Sequence, residues 1–147
     1  MRVAHTPMSD ADALAFLASL PAHTGKLATT RLDGSPHVAP IWFVVDDDGS
    51  IVFNTAAESL KGRTLRRDPR AALCVDDEVP PFSFVIVTGV VEISEDPDEL
   101  ARYATAIGGR YMGADRAEEY GARNGVPGEL VCRLRPSKIV SAVDVAD

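Results

Sequence analysis

Five of the chain's fifteen Lys and Arg residues, Lys61, Arg63, Arg66, Arg67 and Arg70, fall within ten positions, although the chain as a whole carries a formal charge of −7. They belong to the run Ser59-Leu60-Lys61-Gly62-Arg63-Thr64-Leu65-Arg66-Arg67-Asp68-Pro69-Arg70, which follows the strand-like Ile51-Val52-Phe53-Asn54-Thr55. A helical turn leaving a strand end, with basic and hydroxyl side chains around its start, can seat a phosphate, because free backbone N–H groups and cationic heads converge on the anion. The same run also reads as a solvated, Arg-rich helix. Taken alone, the segment fits both.

Other chemistry is sparse. His5, His23 and His37 lack metal-ligand spacing, and Asp46-Asp47-Asp48-Gly49 lacks the alternation and downstream Glu of a calcium loop, so no metal site is expected. No G-x-S-x-G occurs, and Gly108-Gly109 has no strand–helix context for a dinucleotide fold. Cys74 and Cys132 sit in apolar runs without C-x-x-C spacing, which suits buried, reduced thiols.

The elements that must position these residues follow from pattern. The chain has 147 residues, 46% hydrophobic and 25% charged, enough for one domain over residues 1–147. The acidic balance argues against broad nucleic-acid binding. No stretch of 18 apolar residues occurs and the opening Met1-Arg2-Val3-Ala4-His5-Thr6-Pro7 lacks a signal-peptide core, so a cytoplasmic protein without membrane contact is expected.

Ser9 or Asp10 caps a helix running through Leu14, Phe16, Leu17 and Leu20, ended by Pro21. Asp33-Gly34 joins Gly25–Arg31 to Pro36–Val45 as a hairpin, and a second hairpin leads into Ile51–Thr55. Pro40 places its strand at an edge or bulge. Of Trp42 and Phe43 one must face outward, which suggests a dimer surface. Ala71–Val75 and Ser83–Glu92 add strands, with a bulge at Gly89. A helix from Asp96-Pro97 toward Ile107, a loop over 108–113, and a helix from Ala114 to Arg123 closed by a left-handed Asn124-Gly125 cap come next. Two further strands, Glu129–Leu134 and Lys138–Val143, complete six or seven antiparallel strands: a mainly β, small split or closed barrel with helices at its ends.

Lys26-Leu27-Ala28-Thr29-Thr30-Arg31-x-Asp33-Gly34-x-Pro36-His37-Val38, then Trp42-Phe43, then Lys61-x-Arg63-x-Leu65-Arg66-Arg67-Asp68-Pro69-Arg70, resemble the split-barrel flavin and deazaflavin oxidoreductases. These form the pyridoxamine-phosphate-oxidase-like superfamily, and the resemblance is to its actinobacterial branch that uses coenzyme F420. It spans nearly the whole chain, including Tyr111-Met112-Gly113 and Gly125-Val126-Pro127-Gly128.

The resemblance implies a homodimer of six-stranded antiparallel split barrels, with two cofactor sites at the interface, each lined from both subunits. It implies phosphate contacts at Lys61 and Arg63, and ring contacts at His37, Val38, Ala39 and Pro40. Phe53, Asn54 and Thr55 are expected along the cofactor, with Phe82 or Phe84 reaching in from the other subunit. Ser59 stands where some relatives carry another basic residue. The implied activity is an F420-dependent reductase passing hydride to an enone, quinone or tetrapyrrole. FMN with oxidase or flavin-reductase activity is an alternative, as is a non-catalytic F420-binding or storage protein. F420 carries a phosphate and an acidic oligoglutamate tail, so it uses more of the cationic patch than FMN does. Hydride chemistry belongs to the cofactor, so no nucleophile is required. His37 and Tyr111 are the proton-donor candidates, and Arg66, Arg67 and Arg70 are left as tail contacts or ion-pair partners of Asp68, Asp76 and Asp77.

Overall fold

The computed structural model describes residues 5–147, so Met1–Ala4 of the opening stretch lie outside the described residues. The first helix, α1 (Asp10–Leu17), starts where Ser9 Oγ accepts the Asp12 N–H at 3.1 Å. It ends before the expected Leu20, because Ser19 Oγ takes the Phe16 carbonyl and a guanidinium from a distant helix takes those of Leu17 and Ser19.

Strands β1 (Gly25–Thr30) and β2 (Pro36–Ile41) form the expected hairpin, with Gly34 at φ 86°. The second strand stops at Ile41, and the chain resumes as a two-residue strand, β3 (Val44–Val45), paired with β4 (Ile51–Ala56). Helix α2 (Leu60–Arg67) carries the basic run, and β5 (Arg70–Asp76) and β6 (Phe84–Ser94) follow. After α3 (Pro97–Met112) and α4 (Ala117–Asn124), β7 (Glu129–Ala142) closes the sheet.

All pairings are antiparallel in the order β2-β1-β5-β6-β7-β4-β3. The two edge strands, β2 and β3, are joined through Trp42-Phe43, so the curled sheet closes on itself covalently at the split. Pro40 therefore lies on an edge strand, as its missing N–H requires. Seven strands replace the expected six. The two final strands are one, since Pro136 pairs opposite Gly89, where the register shifts and no ladder donor is missed. A Cβ at Gly89 would lie 1.9 Å from the Arg135 carbonyl oxygen, so this bulge admits only glycine.

Inward alternation places Leu27, Phe43, Phe53, Leu73, Val85, Val87, Leu130 and Leu134 in the barrel core, each fully buried. A second cluster lies outside the barrel wall, where Val52 and Val131 receive Leu100, Tyr103 and Ile107 of α3. That helix runs through Gly108-Gly109 to Met112, past the expected end at Ile107. The glycines are there for packing: a Cβ at Gly108 would meet Tyr120 Cβ at 2.3 Å, so α3 and α4 cross in close contact. The expected left-handed cap after α4 is absent. Gly125 has φ −90° and donates its N–H to the Gly121 carbonyl, so the helix ends without a positive φ.

A polar network pins α3 to the sheet. Arg133 donates to Asp46 at 2.9 Å and to Tyr103 Oη at 2.6 Å, and Tyr103 donates in turn to Asp46. These bonds hold the Asp46 carboxyl below its ordinary range, the Tyr103 bond contributing most and Arg133 next. No helix among the described residues is long and apolar enough to cross a membrane.

Candidate active site

Where β2 ends, Trp42 turns outward while Phe43 turns into the core, as the alternation requires. Trp42 packs against α3 and α4 while 37% of its surface stays exposed. Its ring stacks on Tyr111 with centroids 5.1 Å apart and planes 4° apart, and Tyr120 tilts against it at 6.0 Å. Tyr111 is fixed from below: its hydroxyl donates to the His23 carbonyl at 2.7 Å and accepts the Phe43 N–H at 3.3 Å. Burial pushes its pKa up, and its one proton is already engaged, so it does not fit the role of proton donor.

Beside it Arg110 lies over the Phe43 ring and donates to the carbonyls of Phe43 and Leu17 at 2.6 Å each. One guanidinium thus ties α3 to the end of α1 and to the split in the sheet.

Trp42 forms one wall of a cavity of about 320 Å³. Pro40 and Ile41 continue that wall, Ala104 and Ile107 of α3 face it, and Asn54, Lys61, Asn124 and Glu129 supply the polar end. Asn54 Nδ2 reaches the Leu130 carbonyl at 3.5 Å, while its Oδ1 is buried without a partner among the described residues. An orphaned acceptor costs free energy until a ligand or water donor meets it. Burial raises the Glu129 carboxyl above its ordinary pKa.

The start of α2 adjoins this polar end. Ser59 serves as its N-cap: Oγ accepts the Gly62 N–H at 3.0 Å, contacts Thr55 Oγ1 at 2.9 Å, and its carbonyl takes the Arg63 N–H. That leaves the Leu60 and Lys61 N–H groups without backbone acceptors among the described residues. The same region admits a phosphate on its chemistry: two free N–H groups and one ammonium.

Lys61 and Arg63 do not share a hollow. Two positions apart on a helix, they point about 200° apart around its axis. Arg63 lines a second depression of about 430 Å³ with Arg31, Arg67, Leu60 and Thr64. Asp33, its one acid, is engaged with Ser35 N–H and Oγ at 3.0 and 2.6 Å.

Of the other expected site residues, Pro40 and Asn54 reach the Lys61 cavity. Phe53 does not, being fully buried in the core, and Thr55 is buried beneath Ser59. This corrects the expectation that all three residues at the end of β4 face a cofactor; alternation sends only the middle one outward. Val38 is exposed on the outer sheet face, whereas His37 and Ala39 face the other way, His37 Nδ1 being buried without a partner. Phe82 sits in a turn at φ 65° and Phe84 opposite Ala142, and neither lines the cavity within this chain. Arg70 pairs with Asp68 at 2.7 Å as anticipated, but Arg66 pairs with Glu95, and Asp76 is taken by Lys26. Sequence reasoning assigned none of Glu129, Asn124 and Arg31 to a site: Arg31 lies in the hairpin motif and Asn124 in the expected helix cap, and no local motif marks Glu129. Cys132 is buried and Cys74 half-buried, both as free thiols.

The curled antiparallel sheet, split at one seam with a cavity of one aromatic wall and a polar end beside it, is a split barrel. Residues 10–141 match the pyridoxamine 5'-phosphate oxidase family, and the chain belongs to that family. A curated relative, the pyridoxine/pyridoxamine 5'-phosphate oxidase of Mesorhizobium japonicum, is 35% identical over 88 residues, 60% of this chain. The match covers 42% of that relative's length, less than half. A conserved hypothetical protein of Mycobacterium tuberculosis, Rv2991, superposes with a TM-score of 0.82 at 30% identity, covering 97% of this chain and 89% of its own. A structure described as an F420 reductase gives a TM-score of 0.66 at 28% identity, covering 85% of this chain and 94% of its own. The fold is thus that of the pyridoxamine 5'-phosphate oxidase family.

Proposed function

We propose that this chain binds coenzyme F420 and acts as an F420H2-dependent reductase of an electron-poor substrate such as an enone, quinone or tetrapyrrole. The observation that carries the reading is the division of the basic run by α2. Lys61 and the adjoining free N–H groups suit a phosphate, and Arg31, Arg63 and Arg67 form a separate cationic groove suited to an acidic tail. FMN, the alternative, has one phosphate and no use for the second. The similarity to an F420 reductase supports the same choice.

When bound, the cofactor supplies the hydride. The chain's own residues position and shield it: Trp42 and Pro40 offer a flat apolar wall, Asn54 Oδ1 accepts from a ring or ligand N–H, and Ala104 and Ile107 keep water from the opposite side.

The same reading includes a homodimer. Across the outer sheet face, Val38, Ala28, Ala72 and Thr88 lie in register in one row and Pro40, Lys26, Cys74, Ile86 and Val140 in the next, with Lys26 paired to Asp76. The face mixes these apolar side chains with the Lys26–Asp76 pair, and Pro40 carries it to the rim of the cavity. Phe84 belongs to it too, which is how Phe82 or Phe84 of a second copy would approach the site. Sedimentation at micromolar concentration tests the dimer. Parallel fluorescence titration with F420 and FMN tests the cofactor, and preference for FMN would overturn the reading.

A further inference from the structure

We propose that Glu129 makes the Trp42 cavity selective for a phosphodiester over a phosphomonoester, an inference that rests on reading this cavity as the cofactor's phosphate site. Glu129 opens β7 opposite Ala56, the last residue of β4, and shares a sheet face with Asn54 on the diagonal. Both line the cavity, together with Lys61 from α2 and Asn124 from the end of α4. The facing residues of α3, Ala104 and Ile107, bring no charge. The charged lining is therefore one ammonium and one carboxyl, and neither makes an ion pair among the described residues.

The consequence is a limit on ligand charge. A phosphodiester carries a single negative charge, which Lys61 balances. A phosphomonoester carries about −1.5 to −2 at neutral pH. Its second charge meets a cavity whose cation is already matched and whose remaining ionisable group is a carboxyl. Half-burial, which raises that carboxyl's pKa, shows that water screens it incompletely, so the repulsion is felt. F420 joins its tail through a phosphodiester, whereas FMN ends in a monoester. Glu129 thus works as a discriminating residue at a position no phosphate-binding motif marks, with Lys61 attracting either ligand and the carboxyl penalising the doubly charged one.

FMN and its monomethyl phosphate ester share ring and chain and differ by one ionisable oxygen, so they isolate the effect. At about pH 8, where the monoester holds its second charge, flavin fluorescence titration of the wild-type protein should show the methyl ester binding about tenfold more tightly, the order one unit charge produces across such a cavity. In Glu129→Gln, and equally in Glu129→Ala, the two should bind within about twofold of each other, chiefly because FMN binds better. Retention of the wild-type ratio in both variants, or a wild-type preference for FMN, overturns the proposal. Failure of both esters to bind overturns the assignment of the cavity itself, a separate and recognisable result.

Discussion

Trp42 and Tyr111 lie in parallel contact at 5.1 Å, one at the broken edge of the sheet and the other in the last turn of α3. The stack joins the helical layer to the seam of the barrel and presents the indole as the wall of the cavity. Replacing Trp42 with Ala should lower affinity for a planar ring about tenfold, in keeping with an aromatic contact of about 1–1.5 kcal/mol, as read by fluorescence titration. Unchanged affinity would show that the ring binds elsewhere.

Tyr111→Phe keeps the stack and removes the hydroxyl between Phe43 N–H and the His23 carbonyl. The loss should be one of stability, about 1–2 kcal/mol, lowering Tm by roughly 2–8 °C. Turnover at a temperature where the variant is folded should fall less than about threefold, a difference below 1 kcal/mol. A larger fall with an altered pH profile would restore Tyr111 as a proton donor.

The groove of three arginines predicts a split in ligand response. Arg31→Ala, Arg63→Ala and Arg67→Ala combined should weaken F420 binding at least about tenfold and flatten its salt dependence. FMN binding should shift less than about twofold, because its one phosphate does not reach that side of α2. Titrations at low and moderate salt decide it.

Asp48 gives the pH dependence of stability. Its carboxyl is held down to about 2, first by the Ser50 hydroxyl and N–H and then by Arg135. Since the folded state favours the ionised form, the contribution is complete above the ordinary value of 3.8 and is lost as pH falls toward 2. Chemical denaturation from neutral pH into this window should show stability falling in the wild-type protein and falling less steeply in Asp48→Asn.

Gly108→Ala should cost about 1–3 kcal/mol, because the added methyl must displace Tyr120 from the α3–α4 crossing. Thermal unfolding measures it, and a neutral result would mean the two helices pack less closely than described.

Local signals carried much of the architecture. Asp33-Gly34 announced its hairpin, Gly89 its bulge and Pro40 its edge strand, since each depends on backbone geometry within a few residues. The continuity of β7 was hidden, because what makes Pro136 tolerable is Gly89, nearly fifty positions earlier in sequence. Glu129 and Arg31 were hidden for the same reason: they join their hollows only through the strand order. The separation of Lys61 from Arg63 was, by contrast, present in the helical period.

The most direct measurement is a side-by-side spectral titration of the purified protein with F420 and FMN, followed by reoxidation of bound F420H2 with an enone or quinone. The account predicts preferential F420 binding, weakened in Lys61→Ala, and substrate-dependent reoxidation. Preferential FMN binding, or F420 affinity indifferent to Lys61, would contradict it.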